Sequence, residues 1–179
     1  MADLRVKDLT KFRPKETGEL AEILAGIPSL FILRCEKCFT TAEPCDDDAR
    51  VLETAAEQAG CVVAGVAGIS FLCNRTLTGK ALRALLPGTG GIGVASCGVG
   101  IQTIASLFPD RRILALADSI PQALNGTCLA AFHGLSLGTA MCAGCGACVL
   151  TRTAGICPVT ACAKSLLNGP CGGAKNGMC

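Results

Sequence analysis

The chain has no tryptophan and no tyrosine, and phenylalanine, at six of 179 positions, is its only aromatic residue. Stacking of a flavin or of single-stranded bases on aromatic rings therefore has little to draw on. There is one histidine, His133, in an uncharged Ala-Phe-His-Gly context. No convincing Ser/His/Asp set can be built around it, and a local hydrogen-bonding role is expected. Charge is scarce as well: 16 Lys and Arg face 14 Asp and Glu, for a net charge of +2 with no basic run. That balance excludes the electrostatic footprint of a nucleic-acid or membrane-surface partner. The first residues, Met1-Ala-Asp-Leu-Arg-Val-Lys-Asp8, lack the apolar core and cleavage site of a signal peptide, so a cytoplasmic chain is expected.

Two stretches hold no charge, Ala84–Pro109 and Ser119–Thr151. Glycine, proline and polar residues interrupt both too often for a membrane span, and the first fits strand, loop and helix of a buried core. The second has two readings, burial against the preceding domain or docking on another subunit.

Cysteine is what the chain has in excess: fourteen in all, seven of them in the last forty residues. These are the run Cys142-Ala-Gly-Cys145-Gly-Ala-Cys148, then Cys157-Pro158, Cys162, Cys171 and Cys179. In a reducing cytosol, clustered cysteines are better read as metal ligands than as disulfides. C-x2-C-x2-C from a glycine-assisted loop can turn three thiolates to one point, as in ferredoxins, and a [4Fe-4S] cluster is expected at Cys142, Cys145 and Cys148. A structural zinc knot is the alternative, since zinc also accepts four thiolates. The fourth ligand stays open. Cys157 would close the site, yet in two-cluster ferredoxins the Cys-Pro cysteine serves the other cluster. Cys162, Cys171 and Cys179 could ligate a zinc or a further cluster.

Upstream, residues 1–16 read as an extended polar arm. Helices are expected at Thr17–Ala25, with Thr17 as N-cap, and at Pro44–Ala59, Leu77–Leu86 and Val99–Phe108. Strands are expected at Ser29–Arg34, Cys61–Val66, Gly91–Ser96 and Arg112–Ala117. The alternation predicts an α/β fold, a Rossmann-like doubly wound parallel sheet over residues 1–124, followed by a small cysteine-rich metal-binding domain over 125–179. Gly88-Thr-Gly-Gly-Ile-Gly93 precedes a strand instead of following one and is discounted as a dinucleotide loop.

That topology carries Cys35, Cys73 and Cys97 to the carboxyl ends of strands, where open α/β sheets bind ligands, and Cys38 joins them through C-x2-C. A second metal centre is predicted there. Gly98 and Gly100, at the start of a helix, would bring backbone N–H groups close to cluster sulfurs. Cys61 and Cys128 lie in apolar runs and read as buried small hydrophobes; Cys45 is ambiguous.

Gly155-Ile-Cys-Pro-Val-Thr-Ala-Cys-Ala-Lys-Ser-Leu-Leu-Asn-Gly-Pro-Cys-Gly-Gly173 with Asn176-Gly-Met-Cys179 closely resembles the C-terminal signature of the small, MetV-type subunit of bacterial methylenetetrahydrofolate reductases. Ser96-Cys-Gly-Val-Gly-Ile-Gln102 and Leu107-Phe-Pro-Asp110 resemble that family's first-domain motif. The resemblance implies a non-catalytic iron–sulfur subunit of an oxidoreductase complex in the Wood–Ljungdahl pathway, paired with a flavin-bearing MetF-type catalytic subunit. Electrons would come from a ferredoxin or a heterodisulfide-reductase-type partner. It also implies that Cys35, Cys38, Cys73 and Cys97 match the first-domain cysteines, and Cys142, Cys145, Cys148, Cys157, Cys162, Cys171 and Cys179 the C-terminal ones. Two departures stand out: Ala and Gly replace the charged residues often found beside the C-x2-C-x2-C run, and no tail follows Cys179. With few cations nearby to offset added negative charge, a low reduction potential is expected.

Overall fold

The computed structural model describes residues 11–36, 46–85, 90–120, 142–162, 164, 171–173 and 175–176. Cys38, Cys45, Cys128, His133 and Cys179 lie outside them. The class is mixed α/β, with a parallel sheet of four strands. Its elements in order are β1 (Lys11–Pro14), α1 (Thr17–Leu24), β2 (Ser29–Cys35), α2 (Asp46–Gln58), β3 (Val62–Ile69), α3 (Arg75–Leu85), β4 (Gly91–Ala95), α4 (Gly98–Leu107), β5 (Ile113–Ala115), β6 (Ala117–Ile120) and α5 (Pro158–Ala161).

The sheet runs β3-β2-β4-β5, so the direction in which strands are added reverses after β3. The boundary between β2 and β4 is thus a switch point, the place where parallel sheets leave a crevice at their carboxyl edge. Residues on β2 and from Ile113 of β5 to Leu116 just beyond it alternate between two cores with the period of two that a strand imposes. Leu30, Ile32, Leu114 and Leu116 join Leu20, Leu24, Leu52 and Ala56 from α1 and α2. Phe31, Leu33, Ile113 and Ala115 join Leu82, Ile101 and Ile104 from α3 and α4. Gly93 on β4 lets the first core close, because a Cβ there would stand 2.5 Å from Leu116 Cδ1.

The local departures from the expected elements have physical causes. Thr17 does not cap α1; Glu16 occupies the cap, with its carbonyl accepting the Leu20 N–H at 2.9 Å and no side-chain cap bond. Helix α3 starts at Arg75, two residues early, because the Asn74 side chain accepts the Leu77 N–H at 3.1 Å and does the capping. β3 begins one residue late and extends to Ile69, paired along β2 as far as Cys35. The single strand expected at Arg112–Ala117 divides. After Leu116 donates its N–H to Val94 O at 3.0 Å, the chain leaves the sheet and Ala117–Ile120 pairs antiparallel with β1. Part of the expected polar arm is therefore a strand.

Residues 142–162 pack on this frame. Leu150 is buried in the second core. Thr151 Oγ1 accepts the Ala115 N–H at 2.8 Å. Gly155, at φ +78°, brings its backbone so close to α4 that a Cβ would fall 2.2 Å from Ala105 Cβ. Only glycine suits both the left-handed conformation and the contact. Among the described residues no helix is long and apolar enough to cross a membrane.

Candidate metal centre

Two cysteines stand at the strand ends as expected. Cys73 is buried in the loop after β3, and Cys97 is the N-cap residue of α4, immediately beyond β4. Cys35 is the last residue of β2 rather than a loop residue, and it packs against the second core. What joins Cys73 and Cys97 is Cys142, with Val99 completing the group. Two cysteine sets that are separate in the sequence thus meet at Cys142. Cys61 is buried in the first core, where burial pushes its thiol pKa up.

Cys142, Cys145, Cys148 and Cys157 line one cavity of about 20 Å³, together with Gly98, Gln102, Ser119, Leu150 and Val159. The intervening glycines make the loop possible: Gly144 and Gly146 adopt φ +62° and +78°, which side-chain-bearing residues avoid. Cys145 is exposed, whereas Cys142 is buried and Cys148 and Cys157 are half-buried. Cys157 caps α5 with Pro158 in its first turn, so the Cys-Pro pair is accounted for by helix geometry, proline being preset for that position. Cys162 is half-buried just after α5, and Cys171 is exposed with its Sγ accepting the Gly173 N–H at 3.4 Å.

Strand β6 holds the run at both ends. Asp118 Oδ1 accepts the Cys148 N–H at 2.7 Å. Ser119 Oγ lies 3.5 Å from Cys142 Sγ, which donates to it as a thiol, and it accepts the Gly98 N–H at 2.8 Å. Gly98 therefore does not aim its N–H at a sulfur as expected; Ser119 has taken it. Gly98 instead permits close approach, since a Cβ there would sit 2.8 Å from Cys142 Sγ. Gly100 is turned inward, where a Cβ would meet Ser96 Oγ at 2.2 Å. The Gly144 N–H donates to Cys142 Sγ at 3.4 Å, a bond that strengthens once the sulfur is ionised.

The donor set suits a thiolate-bound metal group in kind: four thiols on one cavity, with the Gly144 N–H already directed at the Cys142 sulfur and Ser119 Oγ within hydrogen-bond distance of it. The cavity itself has room for about one water-sized body, so anything larger seats only if the exposed side of the loop moves out. Among the described residues no three His, Cys, Asp or Glu side chains converge as they would on a single metal ion.

Burial dominates the thiol acidities. It raises Cys142, against hydrogen bonds from Ser119 and Gly144 and with further upward pressure from Cys97 and Cys157. It pushes Cys148 from 9.0 up to about 11, offset in part by a backbone hydrogen bond at Leu150 and by the positive charge of Lys15. Because the folded value lies above the unfolded one, this contribution to stability is complete below pH 9 and is lost as pH rises through about 11. The metal-free protein is expected to lose about 2–3 kcal/mol over that interval, measured by urea denaturation at fixed pH steps, and Cys148→Ala should flatten the loss.

Lys15, Asp118 and Ser119 are the site residues that spacing alone misses. The one hint is that Asp118 interrupts an apolar strand run with a lone acid. No curated protein and no solved structure matches the chain. Residues 121–179, about a third of its length and the part that contains the C-x2-C-x2-C run and every later cysteine, match the family model described as methylene-tetrahydrofolate reductase C terminal.

Proposed function

We propose that the chain is the electron-transfer, iron–sulfur subunit of a methylenetetrahydrofolate reductase complex of the Wood–Ljungdahl type. It would take electrons from a ferredoxin-like or heterodisulfide-reductase-type donor and pass them to the flavin of a MetF-type catalytic subunit. The observation that carries this reading is the coincidence of the four-thiol cavity with the segment similar to methylenetetrahydrofolate reductase C termini. When bound, a [4Fe-4S] cluster supplies one-electron transfer.

Cys142, Cys145, Cys148 and Cys157 would hold one such group. Cys35, Cys38, Cys73 and Cys97 are proposed for a second, of which Cys73 and Cys97 pack with Cys142. Cys162, Cys171 and Cys179 would complete a further site or supply replacements within these. The exposed Cys145 places one side of the cavity at the surface, where a partner's redox group can approach. The chain's own residues do the holding: Ser119 and Gly144 bond to Cys142 Sγ, and Asp118 fixes the loop at Cys148.

The chemistry of the four cysteines also allows a second reading, in which thiolate-bound zinc shapes the C-terminal block for docking and has no redox role. Anaerobic purification separates the two. Iron at roughly eight atoms per chain with EPR signals after reduction supports two clusters, roughly four supports one, and a colourless chain with zinc alone overturns the redox reading.

A further inference from the structure

Lys15 is buried, with its side chain 1% exposed. A buried ammonium is costly unless paired, and this one is paired twice. Its Nζ donates to Asp118 Oδ1 at 2.7 Å and to Glu19 Oε1 at 2.6 Å. Asp118 is itself 9% exposed, and the same Oδ1 accepts the Cys148 N–H at 2.7 Å. Two groups from distant parts of the chain therefore converge on one carboxylate oxygen of the acid in β6: the cation that follows β1 and the backbone N–H of the last cysteine in C-x2-C-x2-C. The backbone repeats the link, because the Lys15 N–H donates to Leu116 O at 3.0 Å.

We infer that Lys15, acting through Asp118, is the positioning and charge-balancing residue of the Cys142–Cys148 site; this rests on the reading of that site as thiolate-ligated. Ionised thiolates bring negative charge into a poorly solvated place, and an electron delivered there adds more. In that setting a buried cation behind one ligand favours the more negative state, and a buried carboxylate opposes it. Lys15 therefore raises the potential relative to the same site without it, and the Asp118 carboxylate that holds it offsets part of that effect. Glu19 is 38% exposed and its influence is screened.

The test compares Lys15→Met, Lys15→Arg, Asp118→Asn and Glu19→Gln in the full chain. Asp118→Asn keeps an oxygen for the Cys148 N–H while removing the charge. In anaerobically purified protein the midpoint potential is expected to fall in Lys15→Met, to rise in Asp118→Asn, to rise less in Glu19→Gln, and to return near wild type in Lys15→Arg. Cobalt(II) titration of the metal-free chain, followed by thiolate-to-metal absorption, should give the same order: affinity about tenfold lower in Lys15→Met and higher in Asp118→Asn. Shifts of the same sign in Lys15→Met and Asp118→Asn, or no shift in either, would overturn the inference. If wild-type protein purifies without iron, the redox reading fails while the cobalt series still decides the role of Lys15. Should Lys15→Met fail to fold, Glu19→Gln against Asp118→Asn provides the ordering.

Discussion

Replacing Cys148 with serine is expected to remove roughly four iron atoms per chain and the EPR signal that belongs to them. The reason is chemical as well as spatial. A serine hydroxyl is a hard donor with no readily formed anion near neutrality, whereas iron–sulfur groups are held by soft thiolates. Cys148 shares its cavity with Cys142, Cys145 and Cys157, and its backbone is tied down by Asp118. The control is Cys61→Ser. Cys61 is also buried, 3% exposed, but it lies among Leu20, Leu24 and Leu52 in the core between the sheet and α1 and α2. That variant should keep its full iron content and lose stability instead, by about 1–3 kcal/mol for a hydroxyl placed in apolar surroundings. Iron analysis and thermal denaturation of the pair separate a ligand from a packing residue. Equal iron loss in both would remove the case for Cys148 as a ligand.

The second large effect concerns the frame. Leu33→Ala is expected to cost about 2–5 kcal/mol in urea denaturation, a large part of the 5–15 kcal/mol that a domain of this kind possesses. Leu33 is 0% exposed on the central strand β2, opposite Ala67 on β3 and Val94 on β4. Its cluster includes Ile101 and Ile104 of α4 and Leu150 of the cysteine-rich segment. Truncation opens a cavity at the point where that segment is seated, so the loss of stability should be accompanied by weaker metal retention. Val62→Ala, at a residue 65% exposed at the start of β3, should change stability by no more than about 0.5 kcal/mol.

These residues also show what sequence reasoning can and cannot reach. The four parallel strands were legible because each is a compact apolar run; β2, β4 and β5 are buried along most of their length, whereas the edge strand β3 is apolar with one face left exposed. The start of α3 was legible in principle, since Asn74 is a good capping residue, but an apolar count that begins at Leu77 steps over it. The division between β5 and β6 was not legible. Arg112–Ala117 is continuous in composition, and what ends β5 is a change of partner, set by a strand more than a hundred positions earlier. Lys15 was hidden for the same reason: it looks like any surface lysine until its partner, 103 positions away, is brought beside it. The cysteine run itself was plain from spacing, and so was the placing of Cys73 and Cys97 at strand ends. The meeting of Cys73, Cys97 and Cys142 depends on how residues 142–162 lie on α4, and neither Gly98, which lets Cys142 approach, nor Gly155 carries any sign of its contact in the sequence.

The pairing of β1 with β6 has a consequence for how the protein is made. Lys11 to Pro14 leaves the ribosome early, but its partner Ala117 to Ile120 follows only after the whole parallel sheet has been synthesised. Until then Lys15 is an ordinary solvated cation, and the closing of such a long loop is among the slower steps of folding. The cradle for Cys142 and Cys148 does not exist before that ribbon closes. On the proposed reading metal loading would follow completion of the sheet rather than guide it, and a chain shortened by its first fifteen residues would reach that stage without the cation that holds Asp118 beside Cys148.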